Sequence, residues 1–294
     1  MRDELNQKSK TKNQKPKTIV LLTDFGTKDY FVGAMKGAIL RVNENAQIVD
    51  ITHEIKPQNI KSASFTLRAC YKDFPAKTIF VAVIDPGVGS ERRAILVETD
   101  DYFFVAPDNG LLSFVFNEDG DGAVKERVET ANETRSLTAP FPHIRVFELT
   151  NKQFFAKKIS ATFHGRDIFA PVAAHLSNGV NPNEFGREIS DFVCREEIKP
   201  RKINNNEIEA EIVGIDRFGN LITNLKREDL PEKFALEIGG KQIDKLQKYF
   251  AEAKKGEVFM IFGSAEFLEV VAFQSSAENL LKAQTGQKIK VKSR

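Results

Sequence analysis

The sequence lacks most of the features that mark a secreted, metal-bound or membrane protein. It has no tryptophan, and its two cysteines, Cys70 and Cys194, lie far apart. They form neither a disulfide scaffold nor a CxxC metal spacing, so we expect a reducing, cytoplasmic setting. No apolar run reaches the roughly 18 residues that a membrane span requires, so no membrane partner is expected.

Charge of one sign is not in excess either. The 43 basic and 41 acidic residues leave a net charge of +2, which gives no electrostatic case for nucleic-acid binding. Residues 1–17 are polar and basic, and they lack the apolar core of a signal peptide. We predict a disordered, solvated tail there, with binding to an acidic partner as the alternative.

Several well-known catalytic and binding motifs are missing. The sequence contains no GxGxxG, GxxxxGK[ST] or GxSxG stretch, and its four histidines show no i, i+4 pairing. These absences argue against a nucleotide-phosphate loop, a nucleophile elbow and a histidine metal site. A metal held by carboxylates stays open, although nothing in the sequence suggests one.

The pattern that is present alternates short apolar runs with amphipathic segments. We predict strands at residues 18–22, 47–52 and 78–84, a hairpin over 94–106, and helices at 31–42, 60–71 and 166–178. Strands that alternate with helices are typical of an α/β domain with a mostly parallel sheet, which we place at residues 18–190.

The composition changes near the end of this region. Residues 191–206 are polar and charged and include a proline, which is typical of a linker. Short strands at 208–215, 221–224, 234–238, 258–262 and 268–273 follow, separated by Gly, Asn and Lys turns. This spacing predicts a second domain at 207–294, a small β-barrel or sandwich.

Polar residues follow two of the predicted strands. "TDFGT" supplies Asp24 after the first strand, and "DPGVGS" supplies Asp85 after the third. Ligands of such sheets bind beyond the carboxyl ends of strands, so we expect both aspartates to line one cleft. The stretch "IDPGVGSERR" also brings Arg92 and Arg93 back after Asp85. It is either a turn with solvated charges or a catalytic carboxylate–guanidinium pair.

Two further segments carry candidate site residues. In "TFHGRDIFAPVAAHL", His164 precedes an alanine-rich helix. It either points into the cleft as a base or hydrogen-bond donor, or packs while Asp167 caps the helix. In "IDRFGNLITN", Phe218 and Asn220 either hold a planar ring by stacking and amide hydrogen bonds or belong to a hairpin turn. Spacing alone does not decide between these interpretations.

Six ordered segments together resemble one family. They are "LLTDFGTKDYFVGAMKGAI", "VIDPGVGSERR", "APDNGLL", "TFHGRDIFAPVAAHL", "IDRFGNLITN" and "FGSAEFLEVV". The chain resembles the S-adenosyl-L-methionine (SAM) hydroxide adenosyltransferases, which are SAM hydrolases related to the SAM-dependent fluorinases and chlorinases. The resemblance covers residues 18 to about 292.

The resemblance implies an N-terminal α/β domain, a C-terminal β-barrel, and a homotrimer with SAM bound between subunits. It implies that water, acting as hydroxide, attacks ribose C5′ and releases methionine and adenosine, with no metal or organic cofactor. The residues it implies are catalytic Asp85, Arg92 and His164, ribose-binding Asp24, and further substrate-binding residues Asp85, Asp216, Phe218, Asn220, Ser264 and Glu269.

The resemblance also separates hydrolysis from halogenation. The halogenases carry a tyrosine where this chain has Asp85, a tyrosine at His164 and a halide-binding serine at Gly165. All three positions follow the hydrolytic pattern here. We therefore expect a SAM hydrolase, with a SAM or adenosine sensor of negligible turnover and, less favoured, a halogenase as alternatives.

The chemistry agrees with this expectation. The sulfonium makes methionine a neutral thioether leaving group, so the enzyme needs only to supply and aim a nucleophile. Arg92 can stabilise hydroxide character without losing its own proton, and His164 can accept a proton. Asp85 can orient either group or hold the ribose, so the sequence leaves the sharing of the proton among the three open.

Overall fold

The computed structural model describes residues 18–118, 143–195 and 199–294. The predicted disordered tail, residues 1–17, lies outside the described residues. The chain divides into two compact units, Met1–Arg195 and Glu196–Arg294. None of the helices in these described ranges is both long and apolar enough to cross a membrane.

The first unit is built on a six-stranded sheet in the order β2-β1-β3-β5-β4-β6. Its strands are β1 (Ile19–Thr23), β2 (Ile48–Thr52), β3 (Ile79–Val83), β4 (Ala94–Glu98), β5 (Phe103–Pro107) and β6 (Arg145–Glu148). Strands β2, β1, β3 and β5 pair in parallel, whereas β4 pairs antiparallel with β5 and β6. The predicted α/β fold with a parallel-rich sheet is therefore confirmed.

Helices cover both faces of this sheet. They are α1 (Phe31–Val42), α2 (Ile60–Cys70), α3 (Ser113–Glu118) and α4 (Ala170–Ser177), and a π-helical turn (Gly165–Phe169) runs directly into α4. In β1, Ile19 and Leu21 pack in the core shared with α1 and α4, while Val20 and Leu22 pack in the core shared with α2 and α3. Burial on both faces explains why β1 is apolar throughout rather than alternating.

The topology places several polar residues at one edge of the sheet. β1 lies between β2 and β3, so the chain leaves β1 toward β2 on one side and later returns to β3 on its other side. Thr23 at the end of β1 pairs in register with Val83 at the end of β3. Asp24 and Asp85 therefore follow the carboxyl ends of two adjacent strands. His53 follows the end of β2, on the other side of β1. This edge is where open parallel sheets bind ligands.

The second unit is an antiparallel, nearly closed barrel. Its elements are β7 (Arg201–Asn204), β8 (Glu207–Ile215), β9 (Leu221–Lys226), β10 (Phe234–Ile238), β11 (Lys241–Ile243), β12 (Val258–Phe262), β13 (Phe267–Ala272), α5 (Ala277–Leu281) and β14 (Lys288–Ser293). The strand path runs β11-β10-β14-β8-β9-β13-β12, with β7 beside β8. A bridge between Leu246 and Met260 brings the chain after β11 to β12, at the other end of the path. The predicted barrel is confirmed.

Some local expectations differ from the structure. Residues 201–204, inside the segment predicted as a linker, form β7 and pair with β8. Asn205 and Asn206, in the same polar segment, make the hairpin turn between these strands. The helix predicted at 166–178 begins as the π-helical turn and ends at Ser177. Strand β14 was not predicted, although Ile289 and Val291 alternate with lysines in the pattern of a strand with one buried face.

Candidate active site

Arg92 forms an ion pair with Asp85 across the glycine-rich turn that separates them in sequence. The Nε of Arg92 lies 2.9 and 3.0 Å from the two carboxylate oxygens of Asp85, and Nη2 also donates to Oδ2. The side chains are 11% and 5% exposed, respectively. An ion pair with this much burial and this many hydrogen bonds has a fixed geometry, unlike a solvated surface pair. The solvated-turn interpretation of these two charges is therefore not what the structure shows.

His164 joins the pair from a segment far along the chain. Its Nδ1 lies 2.8 Å from Nη2 of Arg92. Arginine has only donors, so Nδ1 must accept this hydrogen bond, and neutral His164 then carries its proton on Nε2. The three residues predicted as catalytic thus form one connected cluster, in which Arg92 is the central member.

The pKa of His164 is lowered from its ordinary value. Burial is the main cause and the nearby Arg92 charge adds to it, while Asp85 and Asp167 act in the opposite direction. His164 is therefore neutral at pH 7, which is the state that can accept from Arg92. A protonated ring would place an N–H against the Arg92 N–H and break the connection.

Two glycines allow this close approach of loops. Gly89 has φ of +79°, and a Cβ there would lie 2.4 Å from the backbone oxygen of Ala161. The turn after Asp85 therefore packs backbone to backbone on the segment that leads into His164. Gly87 also sits close, since a Cβ there would lie 3.3 Å from Cγ of Arg92. Gly89 thus permits packing between the two segments, and Gly87 leaves room for the Arg92 side chain within its own loop.

The π-helical turn carries further support for the cluster. The ring of Phe169 lies 5.3 Å from Cζ of Arg92, a cation–π contact that holds the guanidinium from another side. Asp167 is buried and does not cap the helix. Its carboxylate accepts from the Ser160 N–H at 2.8 Å and pairs with Arg166 at 2.7 Å. Asp167 thus fixes the segment that precedes His164.

Gly165 sits in a closed apolar environment. A Cβ at this position would lie 3.2 Å from Sδ of Met35 and 3.3 Å from ring atoms of Phe25 and Phe163. A serine here would need these neighbours to move by a few tenths of an ångström. The packing around Gly165 therefore disfavours the serine that the halogenase pattern places at this position.

Asp24 is held at the end of β1 by the chain after β2. Its Oδ2 accepts from the backbone N–H of Gln58 at 2.7 Å. Gln58 has φ of +66°, a left-handed conformation that non-glycine residues adopt rarely and that often accompanies functional loops. Asp24 thus lies at the strand-end edge of the sheet. The strand before it, β1, pairs with β3, the strand before Asp85.

In the second unit, Asp216 builds the turn that carries Phe218. One carboxylate oxygen accepts from the N–H groups of Phe218 and Asn220, and the other accepts from the Asn220 side-chain amide, each at 2.8 Å. A Cβ on Gly219 would lie 2.2 Å from Oγ of Ser276, so the turn also packs tightly. The Asn220 amide is used inside the turn, and the Phe218 ring is 76% exposed.

Ser264 and Glu269 occupy the hairpin between β12 and β13. Ser264 is exposed, and the Glu269 side chain lies over Gly263, where a Cβ would lie 1.8 Å from Oε1. Burial raises the pKa of Glu269, and the charge of Asp216 raises it further. The binding roles assigned to the candidate residues of this unit stay predictions.

Arg93 has a different environment from Arg92. It pairs with Asp108 at 2.8 Å and with Asp191 at 2.7 Å, and its Nη2 donates to the backbone oxygen of Asp191. The Arg93 side chain therefore links the loop after β5, which carries Asp108, to the segment that carries Asp191. It does not pair with Asp85 or His164.

Gly89 and Phe169, which support the cluster, were not predicted as site residues, and the buried His53 after β2 was not singled out. A signal existed for His53, since it follows a strand end as Asp24 and Asp85 do. No signal existed for Phe169, whose contact with Arg92 depends on the π-helical geometry.

The fold and the cluster define a class of two-domain protein. An α/β unit carries a partly buried Asp–Arg–His cluster beside the strand-end edge of its sheet, and a barrel unit carries an exposed aromatic ring on a fixed turn. Family models for the SAM hydroxide adenosyltransferase N-terminal and C-terminal domains match residues 19–186 and 210–290. The chain belongs to the SAM hydroxide adenosyltransferase family, as the six sequence segments indicated.

Individual proteins show the same relationship. The chain is 36% identical over 279 residues to a Methanocaldococcus jannaschii protein named (R)-S-adenosyl-L-methionine hydrolase, covering 90% of this chain and 91% of that protein. It is 26% identical over 238 residues to a protein of Actinoplanes sp. named fluorinase, covering 72% of each chain. The crystal structure of an uncharacterized conserved protein from Thermotoga maritima matches with a TM-score of 0.80 and 34% identity, covering 93% of this chain and 99% of that one.

Proposed function

We propose that this protein hydrolyses SAM to adenosine and L-methionine. The observation that carries the proposal is the connected, partly buried Asp85–Arg92–His164 cluster in a chain of this family. The named hydrolase relative supports the same activity, and its name specifies the (R) form of the sulfonium. We therefore propose (R)-SAM as the substrate.

The reaction is a substitution at ribose C5′. The water oxygen forms a bond to C5′ while the C5′–S bond breaks, and its electron pair remains on sulfur as neutral methionine. Water loses one proton. The guanidinium of Arg92 stabilises the hydroxide character that develops on the oxygen, since it carries its charge at every accessible pH.

The proton has two nearby acceptors, the Asp85 carboxylate and Nδ1 of His164. Nδ1 accepts from Arg92 in the resting geometry and can take a proton only if that hydrogen bond opens. The resting arrangement thus favours Asp85 as the proton acceptor, with His164 holding Arg92 in place. Alignment of water, C5′ and sulfur supplies the remaining acceleration by positioning.

Substrate binding is assigned to polar and aromatic residues of both units. Asp24 binds the ribose hydroxyls, and Phe218 stacks on the adenine. Asp216 and Glu269 supply negative charge toward the methionine ammonium, and Asn220 and Ser264 complete the contacting segments. The exposure of Phe218 supports the stacking role.

We also propose a homotrimer with sites between subunits, a cytoplasmic location and no requirement for a metal or organic cofactor. The family resemblance supports the trimer, and the free state of Cys70 and Cys194 supports a reducing compartment. The chemistry supports the absence of a cofactor, because a sulfonium leaving group needs no further activation.

The test incubates purified protein with (R)-SAM and with (S)-SAM separately, and follows adenosine by chromatography. In ¹⁸O-labelled water, the product adenosine should carry the label on its 5′-oxygen. Adenosine no faster than the uncatalysed rate would refute the proposal. Tight adenosine binding without turnover would then favour a sensor, and chloride-dependent 5′-chloro-5′-deoxyadenosine would favour a halogenase.

A further inference from the structure

His53 is a buried histidine that the proposed mechanism does not use. It is 4% exposed and follows β2, next to the loop that carries Asp24. A buried histidine in the core of an ordinary sheet needs only satisfied nitrogens. The contacts of His53 instead converge on both sides of Asp24.

The first contact is with the residue before Asp24. Nδ1 of His53 lies 2.8 Å from Oγ1 of Thr23, which is fully buried at the end of β1. The same hydroxyl accepts from the Phe25 N–H at 3.2 Å. Thr23 therefore connects His53 to the backbone on the far side of Asp24.

The second contact is through the backbone. The carbonyl oxygen of His53 accepts from the Gly26 N–H at 2.8 Å. The Gln58 N–H also donates to the Asp24 carboxylate. The segment after β2 therefore contacts the Asp24 turn at three points: the residue before Asp24, Asp24 itself, and Gly26 after it. One residue, His53, provides two of these contacts.

The direction of the hydrogen bonds follows from the other ring nitrogen. Nε2 of His53 lies 3.2 Å from Oδ1 of Asp50, whose Oδ2 lies 2.6 Å from Nζ of Lys36. The contact with Asp50 is close but outside hydrogen-bond geometry, and Nε2 has no aligned partner within the described residues. A nitrogen that faces a carboxylate carries the proton, since a lone pair there would be repelled. Nδ1 is then the acceptor, and Thr23 donates to it.

We propose that His53, as its Nε2–H tautomer, is a positioning residue that fixes Asp24 through Thr23 for ribose binding. Lys36 and Asp50 select the tautomer, Nδ1 accepts from the Thr23 hydroxyl, and that hydroxyl accepts from Phe25 N–H. These contacts together hold the turn that carries Asp24 in one conformation. The inference rests on the proposed function, because Asp24 binds ribose only if the substrate is a nucleoside.

The test compares two substitutions of similar size. In His53→Asn the amide oxygen can occupy the place of Nδ1 and still accept from Thr23, whereas His53→Gln carries its amide toward the place of Nε2. We expect KM for SAM within about threefold of wild type for His53→Asn and raised about tenfold for His53→Gln, with kcat changed less than KM. If His53 had a purely structural role, both variants would have a lower melting temperature and their KM values for SAM would not differ from each other.

Thr23 supplies the matched control. Thr23→Val removes the hydroxyl at nearly constant shape and should raise KM as His53→Gln does, while Thr23→Ser should restore it. The double variant His53→Gln, Thr23→Val should be no worse than either single variant, because both remove the same contact. Additive effects would overturn the proposal, as would equal KM values for His53→Asn and His53→Gln.

A second measurement does not depend on turnover. Nitrogen-15 NMR of the four histidines, with the His53 signals assigned by their loss in His53→Asn, reports the tautomer directly. We expect a protonated Nε2 and an unprotonated Nδ1, and the opposite tautomer would overturn the inference. If the wild type makes no adenosine from SAM, the proposed function fails on its own. Adenosine affinity by calorimetry then replaces KM in the comparison of variants.

Discussion

Replacing Arg92 by lysine keeps the positive charge and removes the planar guanidinium. Arg92 reaches both oxygens of Asp85 and Nδ1 of His164 at the same time, with Phe169 against its face. A lysine ammonium is a single point on a flexible stem and can keep one of these contacts. The substitution therefore tests whether the connected geometry matters, rather than the charge.

The size of the effect follows from the hydrogen bonds that a lysine at this position cannot make. Hydrogen bonds to charged groups contribute roughly 1.5–3 kcal/mol each when buried, and Arg92→Lys removes at least two. Water can replace part of one, because the Arg92 side chain is 11% exposed. A net loss of about 3 kcal/mol in transition-state stabilisation lowers kcat/KM by roughly a hundredfold.

Arg93→Lys is the matched control. Arg93 is the next residue and carries the same charge, but it pairs with Asp108 and Asp191 outside the cluster. Both variants are assayed for adenosine release from SAM, with circular dichroism melting to show that they are folded. We expect Arg93→Lys to keep kcat/KM within about threefold of wild type. A wild-type rate for Arg92→Lys, or an equal loss in both variants, would show that the guanidinium geometry is not needed.

Further predictions concern three other residues. His164→Asn keeps an acceptor for Arg92 and should retain most activity, measured as kcat/KM; near-complete loss would instead make His164 the base. Protonation of His164 breaks its contact with Arg92, so wild-type activity should fall as the pH drops below the lowered pKa of His164. The pH profile of His164→Asn should show no such fall. Gly89→Ala would press a methyl group onto the Ala161 oxygen, so kcat should fall at least tenfold, whereas Gly33→Ala, with open space around it, should not reduce kcat. Glu269 has a raised pKa, so KM for SAM should rise as pH falls through it, and Glu269→Gln should have a high, pH-independent KM.

The extent to which the sequence predicted the site depends on how local each contact is. Asp24 and Asp85 were predicted at one edge because apolar strands end there, and parallel topology brings strand ends together. Asp85 and Arg92 lie seven residues apart on one turn, so their pairing could be anticipated. The role of Asp167 could not be anticipated, since its partner Ser160 belongs to a segment with no regular pattern.

Charge patterns were misleading in the second unit. Residues 201–206 resemble a linker in composition but form strand β7 and the hairpin turn that leads into β8. The lysines of β14 pair with glutamates of adjacent strands, as Lys290 does with Glu207, so a charged segment becomes a regular strand. Such pairing across strands cannot be recognised from the composition of one segment at a time.

The turn at Asp216 has a consequence for binding entropy. Its carboxylate makes three hydrogen bonds inside the turn, and Gly219 is packed against Ser276. The backbone under the exposed Phe218 ring is thus ordered when the barrel folds. A planar ligand that stacks on this ring does not have to order a loop first, so more of the stacking energy remains available as affinity.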